Sequence, residues 1–382
     1  MSPFMKVSKN ILAILLGVLI SFILLEGLLR IFQPIEYRVK GNKLKLPRDK
    51  KYQFTNDKTD KLDRVIATSR NHLGLRGEMP PKNFADYVTI VAVGGSTTAC
   101  EVISDGKTWC DILAGKLTAE FGQVWLGNAG LDGTSTYGHL VMMEDYLIKM
   151  KPKVVLFLVG ANDIGLGNYT TCDHEFIKKP KTDFLATLME KLINKSEVLG
   201  YAINFYRYAK ARRLGLPHQI FDFAYLQPTN LSQEEVDALL HSDRERYLEP
   251  FKQRLTKLIE ISRENSMEPV FITQPSAFGD VIDPVTGVDL GQAGSYGMNG
   301  KTLWRRLELY NGMTRETAAQ QGIELIDLAA EMPKSSEYYY DTYHFSNAGC
   351  TRVAEILDKT LAPFLEKRYP RLKAHQAIRS GG

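Results

Sequence analysis

An α/β domain on a five-stranded parallel sheet, preceded by one amino-terminal transmembrane helix, is the architecture the sequence predicts. Three observations point there. Short apolar runs alternate with helical patterns from residue 88 onward, which is how parallel sheets with crossover helices read. Three of those runs end in turns built from Gly, Asn, Asp or Ser. A uniformly aliphatic stretch, Ile11 to Phe32, stands ahead of all of them.

That stretch opens ILAILLGVLISFILL and continues through Glu26 and Arg30. Its 22 residues would make a helix of about 33 Å, enough for a bilayer core. Glu26 and Arg30 stand four apart in the favourable acid-before-base order, and Pro34 stops the helix. A cleaved signal peptide would have a shorter apolar core with small residues before the cut, whereas Leu25, Glu26 and Gly27 stand here. The expectation is a single uncleaved anchor over residues 1–34. Lys and Arg are denser after the span than before it. A simple positive-inside count therefore favours a cytoplasmic C-terminal domain, a weak signal ahead of a long domain.

Composition narrows the classes. The 382 residues carry 48 Lys plus Arg against 44 Asp plus Glu, a net charge of +4 without the clustered basic bias of a nucleic-acid binder. The four cysteines, Cys100, Cys110, Cys172 and Cys350, include no CxxC pair, which argues against a disulfide scaffold and a structural zinc site. The histidines other than His344 lack partners at metal spacing and read as packing or surface residues.

Residues 35–86 are polar and Lys-rich and read as a stalk. The sheet begins with Val88–Val93, a buried strand ending in Gly94-Gly95, and continues with Gln123–Leu126, Val154–Val159, Pro269–Thr273 and Ile323–Ile326. Helices are expected over Thr108–Phe121, Tyr137–Lys149, Gln233–Asn265, Thr302–Gln321 and Asn347–Leu361. The third and fourth strands lie far apart for a simple crossover. Segment 168–230, with helices at Phe184–Ile193 and Glu197–Arg213, is therefore read as an inserted cap. The Gly-rich stretch from Gln274 to Lys301 is a second long loop at a strand's carboxyl end, where function concentrates. The domain is expected over 87–366, with a tail at 367–382.

Ser96 follows Gly94-Gly95 at the sheet's carboxyl edge, a place that suits a nucleophile but also a phosphate or a plain helix cap. The second strand runs into Asn128-Ala-Gly-Leu-Asp-Gly133, where Gly133 offers a backbone N–H. The third ends in Gly160-Ala-Asn162-Asp163, where Asn162 offers an amide donor. Both are equally good turn sequences. Asp341-Thr-Tyr-His344 precedes Ser346, a good N-cap. A spacing of three lets the carboxylate reach the near ring nitrogen and fix its tautomer.

Taken together and in this order, the four blocks resemble those of the SGNH (GDSL-type) hydrolases, a large group of esterases, lipases and carbohydrate acyl-processing enzymes. The resemblance covers about residues 88–360, and Gly95 stands where the name-giving string has Asp, a departure expected to touch no catalytic atom. It implies a flavodoxin-like three-layer α/β/α sandwich. It also implies a triad of Ser96, His344 and Asp341, and an oxyanion hole from the Ser96 and Gly133 N–H groups and the Asn162 amide. No metal or organic cofactor is implied. The expected activity is hydrolysis of O-acyl esters, acetyl above all, on a cell-surface glycan. The expected partners are an acylated carbohydrate or other small ester and, through the helix, the membrane, with the catalytic domain outside the cytoplasm. An O-acyltransferase with a sugar hydroxyl in place of water would share every catalytic residue, and a silent binding module would need none of them. Cys100, Cys172 and Cys350 all follow loops at the same rim, so a Cys100–Cys172 bridge stays open.

Overall fold

The computed structural model describes residues 3–32, 39–40, 43–166, 184–213 and 220–370. The main sheet has five strands: β1 (Val88–Gly94), β2 (Val124–Asn128), β3 (Val154–Val159), β4 (Glu268–Thr273) and β5 (Glu324–Ile326). All pair in parallel in the order β5-β4-β3-β1-β2. Every residue of β1 and β3 is buried, as their unbroken apolar runs require of strands covered on both faces.

The described helices of eight or more residues are α1 (Pro3–Phe32), α3 (Trp109–Phe121), α5 (Phe184–Lys195), α6 (Glu197–Arg213), α7 (Gln233–Arg246), α8 (Leu248–Glu264), α9 (Gly300–Gln321) and α10 (Asn347–Arg368). Two shorter ones matter to the site, α2 (Ser96–Ala99) and α4 (Thr136–Met142). Helices α3 and α10 pack together on one face of the sheet, and α4, α8 and α9 pack as a group on the other. The result is the three-layer sandwich. From β1 the chain steps outward to β2 and then returns across β1 to β3, so the order reverses beside β1. The loops leaving β1 and β3 diverge at that point and open a crevice at the carboxyl edge.

The strands and most helices fall where the sequence places them. The expected helix over 233–265 is instead two, broken at Tyr247. Pro250 lacks the N–H that would bond one turn back, so it is tolerated only in the first turn of a new helix. Capping boxes fix two helix starts, Thr108 with Asp111 and Ser232 with Glu235.

The expected stalk is largely folded structure. Lys50–Thr55 and Val65–Arg70 form an antiparallel hairpin. Its second strand alternates, exposing one face and burying Ile66, Thr68 and Arg70 on the other. Leu62, Leu75 and Arg76 are buried too. Lys50 and Lys51, part of the Lys-rich run that suggested a stalk, lie on the exposed first strand, and the inward set of the second includes Thr and Arg, which no apolar period reveals.

The chain divides into two compact units, residues 48–175 with 218–382, and residues 1–47 with 176–217. The first holds the sheet. In the second, the insert's helices α5 and α6 group with α1. Glu26 of α1 accepts from the N–H groups of Glu197 (2.8 Å) and Val198 (3.1 Å) and from the Ser196 hydroxyl (2.8 Å). Arg30 of α1 donates to the carbonyl of Lys195 (2.5 Å). One acid–base pair thus caps the start of α6 and the end of α5 at the corner between them.

Candidate active site

The site grows from the end of β1. Gly94 and Gly95 turn the chain into α2, whose first residue is Ser96. A side chain at either position would displace a neighbour. A Cβ at 94 would sit 2.1 Å from the Thr98 hydroxyl, and one at 95 only 2.2 Å from the Asn162 amide nitrogen. The departure at Gly95, expected to be neutral, therefore bears directly on Asn162.

A one-turn helix leaves its carbonyls without intrahelical partners, and here side chains from elsewhere supply them. The carbonyl of Thr97 accepts from the Trp109 indole at 3.0 Å and that of Thr98 from Asn128 at 2.7 Å. Buried Arg76 donates to the carbonyls of Ala99 (2.8 Å) and Cys100 (2.5 Å) with one nitrogen, and to Ile103 and Asp105 (both 2.8 Å) with the other. Cys100 closes the turn in the left-handed region at φ 49°. Neither Arg76 nor Trp109 was legible as a support, because each lies outside the four blocks and acts only through the fold.

His344 arrives on the loop before α10. Its Nε2 lies 2.6 Å from the Ser96 hydroxyl and its Nδ1 2.6 Å from Asp341. The other Asp341 oxygen accepts from the N–H groups of Tyr343 (2.9 Å) and His344 (2.8 Å), so the carboxylate is fixed by the turn it stabilises. The Tyr340 ring stacks on the imidazole at 5.4 Å and 11°. Burial and the Asp341 charge push the Tyr340 phenol well up, so it stays neutral. Behind the loop, Ser346 caps α10, accepting from the Gly349 N–H at 3.0 Å. Ser96, Asp341 and His344 are all at least nine-tenths buried, which keeps bulk water from screening the relay.

Asn162 stands across from Ser96 and donates to the carbonyl of Thr134 at 3.0 Å. Gly133 precedes it in the left-handed region, at φ 67°. The Asn162 turn is anchored by its neighbour Asp163, which accepts from the Thr136 hydroxyl (2.5 Å) and from buried Arg254 (3.1 Å). Arg254 also donates to the Thr136 hydroxyl at 2.6 Å and lies over the Tyr137 ring. His139, on the same short helix, is fully buried; desolvation first, and Arg254 second, lower its pKa to about 3, so it is neutral. The structure thus brings the triad and Asn162 together and sets Gly133 in the adjoining loop.

This geometry accompanies a match of residues 92–352 to the GDSL-like lipase/acylhydrolase family. The chain belongs to that family. As a family member it is an ester-hydrolysing serine hydrolase. A search of curated proteins returns no match. Solved structures similar to this chain include an acetylxylan esterase, Axe2, from Geobacillus stearothermophilus, at 13% identity and TM-score 0.41, covering 71% of this chain and 92% of that one. The psychrotrophic esterase EstA from Pseudoalteromonas is 14% identical with TM-score 0.41, covering 73% and 99%. An α/β hydrolase from the Lake Arreo metagenome is 14% identical with TM-score 0.42, covering 72% and 95%.

The expectation that Cys100 and Cys350 stand at the rim is corrected by their place in the core. Cys100, Cys110 and Cys350 are free and buried. The Cys100 thiol donates to the Thr97 carbonyl (3.3 Å), and the adjacent Cys350 thiol, followed by burial, pushes it well above the usual thiol range. It faces the core rather than the rim, and Cys172 lies outside the described residues. Among the described residues no cluster of His, Cys, Asp and Glu could hold a metal ion.

Proposed function

We propose that the protein is a membrane-anchored esterase that removes O-acyl groups, acetyl foremost, from a carbohydrate. The observation that carries the reading is the relay of Asp341, His344 and Ser96, joined by two contacts of 2.6 Å. In this reading the Ser96 hydroxyl attacks the ester carbonyl while His344 Nε2 takes its proton. Asp341 holds the imidazole in the tautomer that bears hydrogen on Nδ1 and stabilises the imidazolium. The N–H groups of Ser96 and Gly133 and the Asn162 amide receive the oxyanion. Asn162 spends one amide hydrogen on Thr134, which leaves the other for that oxygen. The sugar alcohol leaves with the proton from His344, and water then hydrolyses the acyl-enzyme with His344 as base.

A carbohydrate is supported by the loop after β4. A small hairpin, Gly294–Ser295 with Met298–Asn299, presents Tyr296 at its tip, 61% exposed and in the left-handed region at φ 51°. The Tyr296 ring stacks on Tyr343, the residue before His344, at 6.5 Å and 19°. Ser295 and Thr342 tie the hairpin to the catalytic loop at 3.0 Å. An exposed aromatic face next to the triad suits the apolar face of a sugar ring. A cell-surface glycan as substrate, and a catalytic domain outside the cytoplasm, follow from joining this site to α1.

The test is turnover of chromogenic acyl esters of rising chain length, then of acetylated oligosaccharides, by the detergent-solubilised chain and its Ser96→Ala variant. Short acyl groups and acetylated sugars should be preferred, and Ser96→Ala should be inactive. Equal turnover by both proteins would remove the triad assignment. Adding unacetylated acceptor sugar and following acetyl to sugar or to free acetate separates hydrolysis from transfer. Protease access to the catalytic domain in intact cells checks its side of the membrane.

A further inference from the structure

Helix α5 carries an apolar stripe that is exposed among the described residues. Leu185, Leu188, Met189 and Leu192, at spacings of three and four, all face outward; Leu185 is 67% exposed. Such a stripe normally marks the face of a helix that meets an apolar phase. Helix α6 adds Phe205, Tyr206 and Tyr208, each exposed by more than 60%. Tyrosine rings, with their polar tip, favour the boundary between lipid and water, and a phenylalanine ring favours its apolar side.

The place of the pair on α1 says what that phase is. α1 is the one helix among the described residues long and apolar enough to span a membrane, from Asn10 to Phe32, and its aliphatic side chains stand bare. Glu26 lies 16 residues beyond Asn10, about 24 Å along the axis, near the far boundary of a hydrocarbon core of about 30 Å. An acidic side chain at that depth is costly unless its hydrogen bonds are met. They are met by Arg30 at 2.9 Å and by the backbone and hydroxyl donors at the start of α6. The corner of the helix pair is therefore fastened to the span at the interfacial depth, and the bare faces of α1 and α5 belong to one unit.

We propose that α5 and α6 lie in the membrane interface as a second lipid contact, with the Leu185–Leu192 stripe and the Phe205–Tyr208 aromatics facing the bilayer. The insert is then a membrane-docking element rather than a cap. The inference rests on the reading of α1 as a retained span.

The test uses the full chain in phosphatidylcholine nanodiscs, with Leu188→Trp and Phe205→Trp read against the wild-type background. Both positions are exposed, so the substitutions leave packing intact. The added fluorescence should be blue-shifted, lost when the lipid is brominated near the top of its acyl chains, and insensitive to acrylamide in the water. Quenching by acrylamide without quenching by bromolipid would overturn the proposal, placing the pair in solvent. Insensitivity to both would overturn it as well, placing protein, for instance a second copy, on the stripe. Intact mass distinguishes the remaining failure: a purified chain lacking residues 1–32 would refute the retained span itself, and with it the seat for the pair.

Discussion

Gly95 and Asn162 are in steric contact across the crevice, so that a Cβ on residue 95 would lie 2.2 Å from the Asn162 amide nitrogen and 3.1 Å from the Thr134 carbonyl. Non-bonded carbon atoms pack best at about 3.5–4.0 Å, so at 2.2 Å from the amide nitrogen one group must move. Asn162 is the one that can, by turning its side chain away from Thr134. Gly95→Ala should therefore displace the same amide, proposed as an oxyanion donor, that Asn162→Ala removes. The measurement is a double-mutant cycle on kcat. Each single change should lower kcat by a similar factor, and the double variant should be hardly worse than either. Fully additive losses would show that residue 95 acts independently of Asn162.

Arg76 should be indispensable to the shape of the nucleophile turn. Its two terminal nitrogens serve four carbonyl or carboxylate groups around the end of α2, and it is 1% exposed. Arg76→Lys keeps the charge but not the planar fork, so it can satisfy only part of that set. Asp105 is exposed and its charge is screened, so the cost of truncation lies in the buried carbonyls left without a donor, about 1–3 kcal/mol each. Arg76→Ala should lower the melting temperature by many degrees. Arg76→Lys should be milder in stability yet slow labelling of Ser96 by a fluorophosphonate. Labelling at the wild-type rate in a folded Arg76→Lys would refute the positioning role.

Arg76 also shows where the sequence stops speaking. The strand pattern and the four blocks are local: a buried strand, a tight turn and a carboxylate three residues from a histidine can each be read within ten residues. The supports of the site are not local. Arg76 reaches α2 across the sheet edge, Arg254 reaches Asp163 from a helix 91 residues away, and Trp109 reaches Thr97 around a turn. Each is a long polar or aromatic side chain buried whole, in segments whose overall polarity suggests surface. Residues 35–86 read as a stalk for the same reason, since the alternation that builds the hairpin is masked when two of its three inward residues, Thr68 and Arg70, are polar. The insert's helices were legible, but their partner, Glu26 and Arg30 of α1, lies some 170 positions away.

His139 should make stability depend on pH in a recognisable window. The imidazole protonates near 6.5 in the unfolded chain, whereas in the fold it stays neutral down to about 3. Between those values the unfolded state binds a proton the folded state refuses, so stability falls as pH falls through this range. The contribution is of the order of several kcal/mol at its full extent. Carboxylates held low, such as Asp63 and Asp327, add to the acid loss in the wild type. The decisive quantity is therefore the slope of melting temperature between pH 6.5 and 4 in wild type against His139→Gln. The variant should start less stable and fall less steeply. Parallel slopes would mean that His139 takes up its proton in the fold as readily as in the open chain.

Asn162 offers the sharpest separation of transition-state stabilisation from structure. Its amide donates one hydrogen to the Thr134 carbonyl, and its neighbour Asp163 is locked by Thr136 and Arg254, so the turn has anchors that do not depend on Asn162. Asn162→Ala should consequently leave the fold nearly as stable as wild type. If the second amide hydrogen meets the oxyanion, the same change should lower kcat by about 10²–10³, or about 2.7–4 kcal/mol. KM should move little, because a neutral ester carbonyl gains less from that donor than a developing negative oxygen does. Asn162→Asp should be at least as damaging, since a carboxylate would face both the oxyanion and the Thr134 carbonyl. If Asn162 only shaped the turn, the two variants would lose melting temperature while turnover per folded molecule stayed near wild type. Measuring kcat and melting temperature on the same preparations decides the matter, and an undiminished kcat in folded Asn162→Ala would eliminate the oxyanion role.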